Sequence, residues 1–165
     1  MPLRSDWSTK ACPIARSLDL LGDPWALLVL REVFAGTRRY DILRGRLGIA
    51  ENILADRLKR LVEGGLLVRQ AYGGSTRPRT EYCLTEAGAD ALPVLHALAA
   101  WGNKHTASPT GEPMRVLCRA CGHDADSADQ CAHCHTALTP ENVAWIRPSF
   151  PGDPIALDVA AVTEP

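Results

Sequence analysis

Two pairs of cysteines, Cys118 with Cys121 and Cys131 with Cys134, each enclose two residues, and nine residues separate the pairs. A Cys-x-x-Cys turn aims both sulfurs at one point, and two such turns supply the four thiolates that tetrahedral Zn²⁺ takes. Gly122 follows the first pair, as a glycine usually does in such a knuckle, and His135 takes that place after the second. The loop between the pairs is shorter than in many zinc ribbons, so a compact two-turn site is expected. Four protein ligands leave no open coordination position, which makes the metal structural rather than catalytic. A segment this small buries little core, so the metal should supply most of its folding energy. The competing readings are a dithiol redox pair and an empty, degraded site. His123, His133 and His135 are available as substitute ligands and read as bystanders.

Two further cysteines stand apart from this group. Cys12 precedes Pro13 at an expected helix start, where free backbone N–H groups and the helix dipole favour a reactive thiolate. It reads either as a redox or electrophile sensor or as a small hydrophobe packing an interface. Cys83, beside Leu84 in a strand-like stretch, reads as core.

The formal net charge of −1 conceals a strong asymmetry. Residues 36–80 carry ten bases and four acids, a local charge of +6 that leaves −7 for the rest. Concentration of this kind is the footprint of a polyanion-binding face, provided that the elements beneath it present it as one.

The elements supply that presentation. The spacing predicts a first helix over 12–21, ended by Gly22. Asp23-Pro24 then reads as an N-cap with proline at the first helical position, opening a largely apolar, central helix to about Ala35. A short helix over 40–46 and a turn at Leu47-Gly48-Ile49 lead to a fourth helix over 51–63. In that helix Leu54, Leu58, Leu61 and Val62 share one face and Asn52, Asp56, Lys59 and Arg60 the other. Strands follow over 66–72 and 80–84, around a loop that carries Arg77 and Arg79 beside Pro78. Thr85 caps a last helix toward Trp101, which Pro93 should kink or divide. The expected fold class is therefore α+β: a mostly helical winged helix-turn-helix with a two-stranded wing, plus a small zinc-ribbon-like module. Its expected parts are residues 1–105, a Ser/Pro/Gly linker over 106–115, the cysteine module over 116–147 and a loosely ordered tail over 148–165.

Two short helices joined by a tight turn and followed by a basic hairpin suit a duplex. The fourth helix can enter a major groove with Asn52 toward an adenine edge, Lys59, Arg60 and Arg57 toward phosphates or guanine, and Asp56 also among the DNA-facing residues. Arg77 and Arg79 on the wing suit the backbone or the minor groove. Residues 12–105, opening with CPIARSLDLLGDPWALLVLREVFAG, resemble the HxlR family of regulators, close to the MarR-type winged helices. The resemblance implies a homodimer, joined through the N-terminal and last helices, whose two recognition helices read a two-fold operator. It also makes a sensor role for Cys12 plausible, since some of these regulators use a cysteine there. Ala50 departs from the family, which commonly has a capping serine at that position; Glu51 or Asn52 would have to compensate.

The sequence therefore predicts a DNA-binding transcriptional regulator, repressor or activator, open to a small-molecule or oxidant effector. No apolar run reaches the roughly 20 residues of a membrane span, and Met1 to Asp6 lack a signal peptide's apolar stretch, so a cytoplasmic location is expected. The alternative is a protein-interaction adaptor in which winged helix and ribbon are both docking surfaces. A thiol oxidoreductase ranks last: no βαβ context, phosphate loop or nucleophile–base pair accompanies the cysteines, and no enzyme activity is expected.

Overall fold

Proline and aspartate punctuation sets the helices where the sequence places them. The computed structural model describes residues 6–72, 79–148 and 150–157. Helix α1 (Pro13–Leu21) starts on its proline, with Cys12 at the N-cap. Helix α2 (Pro24–Phe34) is capped by Asp23, whose carboxylate accepts the Trp25 N–H at 2.9 Å. Helix α3 (Tyr40–Leu47) stops at Gly48, which at φ 60° adopts the left-handed conformation that glycine takes without cost. Helix α4 (Glu51–Glu63) follows three residues later, completing the helix-turn-helix.

The core forms around α2, where Val29, Leu30, Val33 and Phe34 are fully enclosed. Leu43 of α3 and Leu54, Leu58 and Leu61 of α4 close on it. Burying each leucine contributes about 1.5–3 kcal/mol, so the α4 stripe alone anchors that helix firmly. Strands β1 (Leu67–Tyr72) and β2 (Arg79–Leu84) pair antiparallel from Leu67↔Leu84 to Tyr72↔Arg79, and Arg39 bridges to Glu81 as a short third rung. Arg79, expected in the loop, thus belongs to the strand; Arg77 lies outside the described residues. Thr85 caps a one-turn helix α5 (Glu86–Ala89), and Pro93 sits at the start of a separate helix α6 (Leu92–His105). Division rather than a kink results, because proline is cheapest in a first turn.

Beyond α6, Asn103 exchanges two hydrogen bonds with the Met114 backbone, at 2.6 and 3.0 Å, and fastens the connecting segment. Strand β3 (Arg115–Cys118) begins one residue inside the expected linker and pairs with β4 (Val143–Arg147). The loosely ordered tail expected over 148–165 is corrected over 150–156, which form β5 (Phe150–Ala156) antiparallel to β4. Pro151 and Pro154 obscure this strand in the sequence, yet an edge strand tolerates proline because its outer face needs no ladder donors. Residues 158–165 lie outside the described residues.

This three-stranded unit is no detached appendage. Fully buried Trp145 meets Phe34 of α2 with ring centroids 6.0 Å apart, and one hydrophobic cluster runs from α2 to the cysteines. No helix among the described residues is long and apolar enough to cross a membrane.

Candidate DNA-binding face and metal centre

With its leucines buried, α4 turns a polar stripe outward, on which Asn52, Asp56 and Lys59 are exposed and Arg60 is half-buried. Its N-cap, Ala50, makes no side-chain bond, and neither Glu51 nor Asn52 supplies one. Tyr40 Oη donates to the Glu51 carbonyl at 2.9 Å and ties α3 to the start of α4. Arg57 differs from its neighbours: its guanidinium pairs with Asp23 at 2.8 Å and with Asp56. It thereby locks α4 to the capped start of α2, so its charge is largely spent inside the fold. Lys59 has only a loose 3.7 Å contact with Glu63, both exposed, and remains available. Arg79 is exposed at the base of the wing.

The four module cysteines converge as their spacing predicts. Cys118 Sγ lies 3.8 Å from Cys134 Sγ, and Cys121 Sγ lies 3.7 Å from Cys131 Sγ. All four sulfurs fall within 4.8 Å of one another. Zn–S bonds of about 2.3 Å arranged as a tetrahedron put the sulfurs roughly 3.8 Å apart, so the donor set fits that ion. The knuckle backbones repeat each other: Gly122 has φ 76° and His135 φ 59°, which makes the histidine the sole non-glycine residue with positive φ among those described. The thiols are electrostatically unequal. Hydrogen bonds from Thr136 draw Cys134 down to about 6. Cys121 is pushed up to about 12 by burial and the other thiols, against a lowering hydrogen bond from the His123 backbone. A cation that ionises all four sulfurs would remove this mutual conflict.

Residues 20–109 match the HxlR-like helix-turn-helix family. The chain belongs to that family. An uncharacterized HTH-type transcriptional regulator of Mycobacterium tuberculosis, Rv3095, is 42% identical over 130 residues, covering 79% of this chain and 82% of the relative. Among solved structures, PA1607, a proposed transcription factor, is 33% identical with a TM-score of 0.67, over 80% of this chain and 92% of its own. The redox regulator HypR in its reduced form is 26% identical with a TM-score of 0.52, over 56% of this chain and 92% of its own. This HxlR-like protein is thus a DNA-binding transcriptional regulator.

Four residues that sequence reasoning passed over join the regulator's two halves. Glu32, 2% exposed, accepts from Arg147 at 2.6 Å and from Arg31 at 2.9 Å, with Arg46 at 3.5 Å. His96 on α6 donates from Nδ1 to the Ala128 carbonyl and accepts the Trp145 indole N–H at Nε2, each at 3.0 Å. The signals were there in part: an acid within an apolar helix and an arginine within an apolar strand each imply a buried partner. Cys83 is buried, as expected, while Cys12 is exposed.

Proposed function

We propose that this regulator binds a two-fold DNA operator as a homodimer, with α4 in the major groove and the wing against the backbone. A structural Zn²⁺ is held by Cys118, Cys121, Cys131 and Cys134. The observation that carries this reading is the outward stripe of α4, fixed from behind by three buried leucines and free in front at Asn52 and Lys59. Asn52 suits base readout; Lys59, Arg60, Arg77 and Arg79 suit phosphates. Arg57 acts by holding α4 to the start of α2 through Asp23, and Asp56, exposed on the same outward stripe, pairs with it. For the dimer, the support is an apolar groove lined by Ile14, Leu18, Leu21, Leu27, Val94 and Leu98. Ile14 is 70% exposed, which a single copy leaves unexplained. The metal closes the knuckles and supplies no reaction.

For the input signal, support comes from the place of Cys12: exposed, at the N-cap of the helix whose Pro13 and Ile14 line the groove. Oxidation there would act on the subunit contact. Binding to the regulator's own upstream region, measured against salt, tests the DNA reading. Affinity should fall steeply with salt, and the slope should become shallower by about two in Lys59→Ala, one for each subunit of the dimer. Binding that ignores both would favour a protein-docking adaptor. If diamide releases Cys12→Ser from DNA as readily as the parent, Cys12 is not the switch.

A further inference from the structure

Asp23 stands at the corner where α1 gives way to α2, between Gly22 and Pro24, and both of those neighbours line the apolar groove. Its carboxylate is divided between two tasks. Oδ1 accepts the Trp25 N–H at 2.9 Å and caps α2, while Oδ2 takes Nη2 of Arg57, on α4, at 2.8 Å. Asp23 is 29% exposed and Arg57 21%, so water screens this pair less than the open pairs Arg44–Glu51 and Lys59–Glu63. Arg57 Nε is buried without a hydrogen-bond partner among the described residues, which leaves the guanidinium to Asp23 and Asp56. A second contact joins the same corner to the far end of α4. A Cβ on Gly64, the C-cap, would come within 2.7 Å of Leu20 Cδ2, so glycine lets α1 approach the helix end closely. Helix α4 is therefore tied to the α1–α2 corner at its middle and at its end.

We infer that Asp23 is a positioning residue for DNA recognition: through Arg57 it fixes α4 relative to the subunit groove, and so sets the distance between the two recognition helices of the dimer. The inference rests on the proposed dimer formed through that groove. A two-fold operator presents its half-sites one helical turn, or a multiple, apart. Two helices fixed to one subunit contact meet a single spacing, whereas helices that pivot on their own subunits meet several. The corner that meets the partner and the helix that meets the DNA are thus linked by one carboxylate. Capping and positioning remain separable, because each uses its own oxygen.

Asp23→Asn separates them. Asparagine caps a helix as well as aspartate does, through its one oxygen, but sets an NH₂ against the Arg57 guanidinium, donor facing donor. The full chain is titrated with the footprinted duplex from its own upstream region, and with that duplex carrying one extra base pair at its centre. The insertion should weaken binding of the parent by about tenfold or more, and of Asp23→Asn by about threefold or less. Arg57→Gln, which leaves the cap untouched, should give the same reduced ratio, and the double variant no further change, since the two residues act as one link. Variants that discriminate as the parent does overturn the inference. So does an Asp23→Asn protein that sediments as a monomer, because the residue then serves the subunit contact itself. A parent indifferent to the insertion overturns the two-fold reading together with the inference.

Discussion

Glu32 is a carboxylate enclosed among apolar side chains, and burial alone would push its carboxyl upward. The guanidinium groups of Arg147 and Arg31 reverse this and hold it below the usual carboxylate range. Removing one partner of a buried ion pair typically costs about 3–5 kcal/mol, because the other charge stays buried. Arg147→Ala should therefore lose stability near the low end of that span, since Arg31 and Arg46 still face Glu32. Adding Glu32→Gln should recover part of it, as urea unfolding of the two variants will show. The contribution of His96 is lost in the same direction with pH but in a higher window. Burial lowers its pKa below the ordinary 6.5, against a raising hydrogen bond from the Ala128 backbone. The unfolded chain then takes up a proton below about pH 6.5 that the folded chain refuses, so stability falls as pH drops from there toward the folded value. The slope has a ceiling of about 1.4 kcal/mol per pH unit. Glu32 loses its contribution only below the ordinary carboxylate value of 4.5, so the two effects separate. Thermal unfolding between pH 7 and 5.5 should decline in the parent and flatten in His96→Gln.

Helix α6 serves two sides at once. Leu92, Leu95 and His96 are buried, whereas Val94, Leu98 and Trp101 are 42%, 49% and 61% exposed. A charge on the outer side should separate the subunits of the proposed dimer without unfolding either. Leu98→Asp is expected to sediment as a monomer with an unchanged circular dichroism spectrum and weakened operator binding; an intact dimer would move the contact elsewhere. At this scale much was legible in the sequence, because helix ends are written locally. Asp23-Pro24, Gly48, Thr85 and Pro93 each mark a boundary through their own backbone chemistry. The cysteine cluster was legible for the same reason, each pair being a local turn. Strand β5 was not, since what defines it is the ladder to β4, and its two prolines argue locally against a strand. The docking of the module on α2 and α6 was equally hidden: Glu32 and Arg147 lie 115 residues apart, and nothing local pairs them.

Across the whole molecule, the cysteine module and the winged helix share one hydrophobic cluster, and that makes their stabilities a common property. Zn²⁺ in small four-ligand modules contributes on the order of 10–16 kcal/mol to folding. With the proposed Zn²⁺ on the four cysteines, stripping it with a strong chelator should release Trp145, which is fully buried, and expose Phe34 and His96 beneath it. A red shift in tryptophan emission is expected, together with a lower melting temperature for the helices themselves. Helices that melt unchanged while the module unfolds would show the two parts to be independent. The same arrangement has a consequence for synthesis. Helix α2 leaves the ribosome with its acid in place, but Arg147 follows 115 residues later, which at roughly 5–20 residues per second is a wait of about 6–23 s. Throughout that interval Phe34 lacks the indole that covers it. The core beneath α2 is therefore completed only when translation has passed β4.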